Sequence, residues 1–283
     1  MAPRSHPTAR QMRLGAELRK LREAAGLKAR EVAAFLDSTS TQMSQIEAGI
    51  AAVSAERIRR LGTHYGCTDD DLIDALADMA GDRVRGWWDD YRGVLPQVNL
   101  DLAELEHHAN FLREVVTTYV PGLLQTSDYA RAVFGYMRPD LSEDEVALRV
   151  EHRERRRSVI ENDDPTRYDA IVHELALRIR VSDRHSARAQ LRHILEQTER
   201  EHVTVRVIPI DQDGFGGAGA SMMYMGGPVL RLDTGLREGA TGTAFIDEEA
   251  QLATLRILFR KVEQAALDPG ASQNFIRHLS QEL

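Results

Sequence analysis

The chain is poor in the features that mark secreted and membrane-spanning proteins. It has a single cysteine, Cys67, among 283 residues, so no disulfide can form within it. No apolar run approaches the roughly 20 residues that cross a bilayer. The N-terminal stretch MAPRSHPTAR lacks the apolar core of a signal peptide, which predicts a flexible basic tail over residues 1–11. These absences together predict a cytoplasmic protein with no membrane contact.

The motifs of several enzyme classes are also incomplete. The glycine-rich stretch DGFGGAGAS at residues 213–221 lacks the Gly-Lys-Ser/Thr ending of a P-loop. The second glycine of a nucleophile elbow is missing after Ser221. Glu104 and His107 have a metal-ligand spacing on one predicted helix, but no matching pair is evident on another. We therefore expect no enzyme activity, no cofactor and no metal.

Charge is divided unevenly along the chain. Residues 1–66 carry eleven Lys or Arg and six Asp or Glu, a net charge of +5, whereas residues 67–283 have a net charge of −13. Neutralisation of phosphates supplies most of the non-specific affinity of proteins for nucleic acids. The charge pattern therefore favours a nucleic-acid partner for the first segment and argues against one for the rest.

Residues 12–66 have the pattern of a small helical domain. A first helix ends at Gly26, a second covers about residues 28–36, and the tight turn Asp37-Ser38-Thr39 separates the second helix from a third. This arrangement is a helix-turn-helix. The first helix has an apolar stripe at the spacing i, i+4, i+7 and i+11: Leu14, Leu18, Leu21 and Ala25.

The third helix is predicted to begin at Thr39, with Gln42 as its capping-box partner, and to end at Gly49. Met43 and Ile46 share the inward side, whereas the outward side is polar and uncharged. Hydroxyl and amide groups both donate and accept hydrogen bonds, so such a face suits the base edges of a DNA major groove. The candidate base-reading residues are Ser40, Thr41, Gln42 and Gln45.

Residues 14–54 resemble the lambda-repressor-like, xenobiotic-response-element type of DNA-binding domain, particularly in the stretch LRKLREAAGLKAREVAAFLDSTSTQMSQIEAG at residues 18–49. The resemblance implies an ion pair between Arg22 and Glu47 that braces the recognition helix. That family commonly has a phosphate-binding glutamine where Ala29 stands here. We expect Lys28 and Arg30 to supply part of the missing phosphate contact.

The remainder of the chain predicts a linker and a second domain. Trp87, Trp88 and Tyr91 give residues 81–100 the aromatic bulk of a segment that docks the DNA-binding domain, a neighbouring subunit or a partner. The predicted strands lie in LREVVTTYVPG, RYDAIVHELAL, HVTVRVIPI, ASMMYMG, PVLRLDT and TGTAFID. The predicted helices cover about residues 101–111, 123–137, 142–162, 186–199 and 248–266.

The fold class that follows is an all-α helix-turn-helix N-terminal domain plus an α+β C-terminal domain with a mixed or antiparallel sheet. The predicted segments are a flexible tail (1–11), the helix-turn-helix DNA-binding domain (12–80), a linker or docking segment (81–100) and a C-terminal domain for regulation, dimerisation and partner binding (101–283).

Two further clusters of residues each have a purely structural interpretation and a functional one. Arg153, Arg155, Arg156 and Arg157 alternate with glutamates, which is typical of a solvated, salt-bridged helix face, although they would also suit a phosphate or an acidic partner. The methionines at 222, 223 and 225 are typical of a core strand, although flexible methionines also line adaptable binding surfaces.

The segments RGWWDDYRGVLP, YVPGLLQTSDYARAV, RPDLSEDEVALRVEHR and HVTVRVIPID look like successive signatures of the actinobacterial WhiJ/AbaA-like regulators. The resemblance implies an antitoxin-like transcriptional regulator of development or antibiotic production that works with a small BldB-like partner protein.

We expect a non-enzymatic, sequence-specific DNA-binding regulator that acts as a homodimer, since one recognition helix covers only a half-site. The alternative is a metabolite-responsive transcription factor whose C-terminal domain binds a small molecule around residues 214–225.

Overall fold

The computed structural model describes residues 7–82, 85–215, 221–239 and 242–283, and its chain separates into two units. The first unit runs to Leu105 and also includes Pro228–Arg231; the second comprises Glu106–Gly227 and Leu232–Leu283. The sequence predicts the C-terminal domain from residue 101, whereas the second unit begins at Glu106. The short segment 228–231 joins the first unit although it follows that unit by more than a hundred residues.

The first unit is helical. Its helices are α1 (Ala9–Ala24), α2 (Ala29–Phe35), α3 (Ser40–Glu47), α4 (Ala55–His64), α5 (Asp70–Gly81) and α6 (Gln97–His107), whose last two residues belong to the second unit. Four of these helices begin at a side-chain oxygen that accepts a backbone N–H of the first turn, which stabilises the start of a helix. The capping residues are Thr8, Thr39, Ser54 and Asp69.

The core of the first unit is made of side chains at helical spacing on α1 to α5. The predicted stripe of α1 is buried at Leu18 and Leu21, whereas Leu14 and Ala25 at its ends are half-buried. Each of the other helices also contributes apolar side chains, which recur at the helical period and therefore face the same core. The fully buried ones are Leu18, Val32, Met43, Ile58, Leu61, Leu72, Leu76 and Ala77.

The first helix begins earlier than the sequence predicts. The tail was expected to cover residues 1–11, but α1 starts at Ala9, and residues 1–6 lie outside the described residues. Thr8 and Gln11 form a reciprocal capping box: the Thr8 hydroxyl accepts the Gln11 N–H at 3.3 Å, and the Gln11 amide oxygen accepts the Thr8 N–H at 3.1 Å. The Thr-x-x-Gln spacing was the sequence signal for this start.

The second unit contains a six-stranded mixed sheet. Its strands are β1 (Phe111–Val116), β2 (Arg167–His173), β3 (Val203–Ile208), β4 (Met222–Gly226), β5 (Thr234–Gly239) and β6 (Gly242–Ile246). The strand order is β3-β2-β1-β4-β5-β6. The pairs β3–β2 and β2–β1 are parallel, whereas β1–β4, β4–β5 and β5–β6 are antiparallel. The predicted fold class, with a mixed sheet, is therefore confirmed.

Helices connect and cover the strands of this sheet. They are α7 (Ser127–Met137), α8 (Glu143–Arg156), α9 (Ser158–Glu161), α10 (Glu174–Arg178), α11 (Arg184–Gln197), α12 (Glu249–Ala265) and α13 (Pro269–Glu282). Apolar side chains of α12, including Leu255 and Phe259, pack in one cluster with Val115 of β1 and Ile171 of β2. This packing buries one face of the central strands.

Several predicted elements of the second unit differ from the structure. PVLRLDT is wrong as a strand: it forms a 3-10 turn at Leu230–Leu232, and β5 begins at Thr234. The strand in RYDAIVHELAL ends at His173, whose side chain caps α10 by accepting the Leu175 N–H. Helix α13 was not predicted, although Asp268 followed by Pro269 is a helix-start signal.

The two clusters with open interpretations are settled by burial. Met222, Met223 and Met225 are buried in β4, so they are core residues, and the strand part of the proposed metabolite site is not a surface; residues 216–220 of that site lie outside the described residues. The arginines of α8 are not a solvated face. Arg156 is buried in a bidentate ion pair with Glu106, at 2.7 and 2.6 Å, and Arg153 lies over the ring of Phe134.

Candidate nucleic-acid interface

The turn between α2 and α3 sets the direction of the recognition helix. Asp37 adopts a positive φ of 51°, a left-handed conformation that Asp tolerates better than most residues. Thr39 then caps α3, its hydroxyl accepting the Gln42 N–H at 3.1 Å. Met43 and Ile46 anchor the inner side of α3 in the core with almost no exposure. The local sequence therefore fixes both where α3 starts and which side it buries.

The opposite side of α3 presents the predicted base-reading residues. Ser40, Thr41 and Gln42 are exposed, and Gln45 is half-buried. The Gln42 side chain does not close a capping box with Thr39 as predicted; its amide oxygen accepts the Ser38 hydroxyl at 2.8 Å. Gln42 is thus tied to the turn, whereas no hydrogen bond within the described residues engages the side chains of Thr41 and Gln45.

A bidentate ion pair joins the end of α3 to α1. The Arg22 guanidinium donates to both carboxylate oxygens of Glu47, Nε to Oε1 at 2.6 Å and Nη2 to Oε2 at 2.9 Å. A third donation, from Nη1 to the Leu27 carbonyl at 2.9 Å, ties the same side chain to the loop after α1. The hydrogen bond that Arg22 donates to the Glu47 carboxylate raises the pKa of Arg22 above its ordinary value. This is the pair that the family resemblance implies; its bracing role remains a prediction.

Two glycines allow α1 and α3 to approach closely, of which the sequence pattern singled out only Gly49, as a helix end. A Cβ at Gly15 would lie 2.5 Å from the Glu47 carbonyl oxygen and 2.6 Å from that of Ile46. Gly49 has a φ of +74°, and a Cβ there would lie 2.8 Å from the backbone of Gln11. Gly15 stands inside the first helix, where glycine costs stability relative to alanine. That mismatch was the available signal.

The candidate phosphate-binding residues lie at the start of α2. Lys28 and Arg30 are both exposed. The Glu31 carboxylate accepts the Lys28 N–H at 2.7 Å, so it caps α2 at the end where Ala29 replaces the family's glutamine.

Most other cations of α1 to α5 are already paired. Within the described part of these helices, Arg10, Arg13, Arg19, Lys20, Arg22 and Arg59 each have a carboxylate within 4.0 Å. Lys28, Arg30, Arg57 and Arg60 form no such ion pair with any residue that the structure describes. Arg57 and Arg60 on α4 are thus additional phosphate-binding candidates that the sequence alone did not distinguish from their paired neighbours.

The predicted docking aromatics form a 3-10 turn at Trp87–Tyr91. Trp88 and Tyr91 are buried, and Trp87 is half-buried. The Trp87 ring lies edge-on to both of the others, with centroid distances of 5.9 and 6.0 Å. The turn is therefore an aromatic cluster within the first unit, and its docking role remains a prediction.

Two other features are absent from the described residues. No group of three or more His, Cys, Asp or Glu in that part of the chain is arranged to hold a metal ion. Across residues 7–82, 85–215, 221–239 and 242–283, no helix has the length and apolar character needed to cross a bilayer.

Comparison with known families agrees with the geometry of the first unit. A model of the helix-turn-helix domain matches residues 13–76, which covers α2 to α4 with most of α1 and part of α5 and defines the class of this unit. A second model, described as Domain of unknown function (DUF5753), matches residues 100–278. That match spans more than half of the chain, and the protein belongs to this family. No curated protein and no solved structure matches the chain.

Proposed function

We propose that the protein is a sequence-specific transcriptional regulator in which α3 enters the DNA major groove and reads base edges. The observation that carries this proposal is the uncharged polar face of Thr41 and Gln45 on a short helix whose other side is anchored in the core. Hydrogen-bonding side chains on a rigidly held helix are what direct readout of base pairs requires.

The distribution of charge supports the same proposal. Lys28 and Arg30 at the start of α2, and Arg57 and Arg60 on α4, have no ion pair within the described residues, so they can neutralise phosphates and fix the position of the protein on the duplex. The rest of the chain has a net negative charge, which would repel DNA. The DNA contact is therefore assigned to the first unit alone.

The finer assignments rest on the sequence: the dimer on half-site geometry, the absence of enzymatic activity and the cytoplasmic location on missing motifs, and the rest on the family resemblance. We propose that the protein acts as a homodimer without enzymatic activity, that it is cytoplasmic and associates with the nucleoid when bound to DNA, and that it is a WhiJ/AbaA-like, antitoxin-like regulator. In this proposal the second unit carries dimerisation and binds a small BldB-like partner protein, and the regulated genes concern development or antibiotic production.

The test is a selection of bound sequences from random duplexes, followed by titration of the selected duplex and a scrambled one. Gln45→Ala and Thr41→Ala should each relax base preference at one position per half-site, with a loss of about 1 to 3 kcal/mol on the preferred base and little change on the scrambled duplex. Lys28→Ala and Arg30→Ala should weaken both duplexes equally and lower the slope of log K against log salt by about one.

Arg59→Ala is the matched control, because it removes the same charge from an exposed arginine that is paired with Asp74 at 2.8 Å. It should change neither the base preference nor the salt slope. Equal losses on both duplexes from the Gln45 substitution would contradict the base-reading role. A protein without any preference among duplexes at low salt, alone or with its cellular associates, would refute the proposal as a whole.

A further inference from the structure

The segment Pro228–Arg231, called the arm below, joins the two units by an unusual route. It lies in the chain between β4 and β5 of the second unit, yet it belongs to the first unit. A hairpin connection between neighbouring antiparallel strands usually needs only two to five residues to reverse the direction of the chain. Here the connection leaves the sheet and contacts a helix of the DNA-binding unit instead.

The tip of the arm is held by charged groups of α1. Arg231 Nε lies 2.8 Å from Glu17 Oε2, and the Arg231 carbonyl oxygen accepts a hydrogen bond from Arg13 Nη2. Glu17 is fully buried, and it also has Arg13 Nε at 3.2 Å and Lys20 Nζ at 2.8 Å. A buried carboxylate depends on its cations, so removing one of them is costly.

The arm contacts the side of α1 that lies opposite the recognition helix. At about 100° per residue, Arg13, Glu17 and Lys20 share one side of α1. Gly15 and Arg22 share the other side, which meets α3 through the close approach at Gly15 and the ion pair with Glu47. One turn of α1 therefore stands between the arm and the element that is proposed to read DNA.

The base of the arm is closed by a polar network in the second unit. The Asp233 carboxylate accepts the Gly227 N–H at 2.9 Å, so the residues before and after the arm are fastened together. Tyr224 of β4 donates its hydroxyl to Asp233, and Arg256 of α12 donates to the Tyr224 oxygen at 2.6 Å. A change in the packing of β4 or α12 would thus reach the arm directly.

We propose that the arm is a coupling element: a rearrangement of the Tyr224–Asp233–Arg256 network displaces Arg231 from Glu17 and thereby alters how firmly α1 holds α3. This inference deepens the proposed function and rests on it, since it assigns the route by which an event in the second unit changes DNA affinity. The event itself is any binding that distinguishes the two arrangements of the network.

The test is a double-mutant cycle with two readouts on the full chain. Asp233→Asn should lower affinity for the selected duplex about fivefold or more, with an unchanged salt slope because no phosphate contact is lost. In an Arg231→Ala background, where the arm is already released, the same Asp233 substitution should change affinity by less than about twofold. Amides of α1 and α3 should exchange hydrogen faster in Asp233→Asn than in the wild type.

Asp169→Asn is the matched control, since Asp169 pairs with Arg167 and Arg113 in the sheet but has no part in the arm; it should leave both readouts unchanged. If Asp233→Asn fails to fold, Arg256→Gln perturbs the same network from α12 and should reproduce its pattern. Equal losses of affinity in both backgrounds, a reduced salt slope or unchanged exchange in α1 would overturn the coupling role. Hydrogen exchange needs no DNA, so it tests the coupling role of the arm even if the chain shows no base preference.

Discussion

Two ion pairs that each include an arginine of α1 have similar chemistry and very different surroundings. Arg22 and Glu47 have side chains that are 11% and 8% exposed, whereas Arg19 and Glu23 are 63% and 52% exposed. Water solvates the two charges of an exposed pair even after the pair is broken. The pair therefore contributes little to stability. A buried pair that loses one member leaves the other charge desolvated and uncompensated.

The first prediction follows from that difference. Arg22→Ala should lower the free energy of unfolding of the first unit by about 3 kcal/mol, as measured by denaturant titration followed through the circular dichroism of its helices. Arg19→Ala, one turn away on the same helix, should leave stability close to that of the wild type. Similar losses from the two substitutions would show that Glu47 is not braced by the buried pair.

His152 of α8 gives the second unit a specific dependence on pH. Burial lowers its pKa to about 3, and the positive charges of Arg156, Arg153 and Arg155 act in the same direction. The folded unit therefore keeps the ring neutral, whereas the unfolded chain takes up a proton near pH 6.5. The stability associated with this ring is present above pH 6.5 and is lost as the pH falls from 6.5 towards 3.

The corresponding prediction compares wild type with His152→Gln, in which the side chain cannot titrate. The stability advantage of wild type over the variant should shrink by roughly 2 kcal/mol between pH 7 and pH 5. Denaturant titrations at several pH values, with unfolding of the second unit followed by hydrogen exchange of α8, measure this. A stability difference that stays constant over that range would contradict the neutral buried ring.

Among the elements, the contact between α1 and α3 depends on the absence of a side chain at Gly15. Alanine is favoured over glycine within a helix by up to about 1 kcal/mol, so propensity alone would make Gly15→Ala stabilising. The added Cβ would instead meet the α3 carbonyls at 2.5 to 2.6 Å, and overpacking of this kind costs about 1 to 3 kcal/mol. The steric cost exceeds the gain because the neighbouring atoms are backbone.

We therefore expect Gly15→Ala to lower the thermal unfolding temperature of the first unit and to weaken DNA binding, since α3 must move away from α1. Gly81→Ala at the end of α5 is the control, because a Cβ there meets nothing within 4 Å; it should be neutral or slightly stabilising. If both alanines stabilise the protein, α1 and α3 are not in the close contact described.

The elements also show how far sequence reasoning reaches. The boundaries of α2 and α3 were predicted to within two residues, because Thr39, Gly26 and Gly49 act on their own chain neighbours. The same local rules fail in the second unit. PVLRLDT has the composition of a strand, but the Asp233 carboxylate fastens Gly227 and the intervening residues contact α1. No local pattern reports those distant contacts.

At the scale of the whole molecule, dimerisation is predicted to determine the shape of the DNA target. Two recognition helices related by two-fold symmetry need half-sites whose centres are about one helical turn, roughly 10 bp, or a multiple of it apart. Inserting 5 bp between the half-sites of the selected duplex should reduce affinity by about 100-fold, because the two contacts can no longer form together. Inserting 10 bp should restore part of it.

Anisotropy titrations with the three duplexes, combined with sedimentation of the free protein and the complex, measure the effect of spacing and the stoichiometry. A protein that binds one half-site as tightly as two, with one chain per duplex, would show that a monomer is the binding species.

By itself, the sequence determined helix α3 and its uncharged polar outer face, with Lys28 and Arg30 as the nearby exposed cations, and the family resemblance implied the pairing of Arg22 with Glu47. Helical period, capping and turn chemistry act within a few residues, so the chain expresses them wherever it folds. Only the tertiary structure decided that residues 228–231 belong with α1, that Gly15 must lack a side chain, and that Arg156 is buried against Glu106. Those outcomes depend on which distant segments exclude water from one another, and that is fixed only when the whole chain has packed.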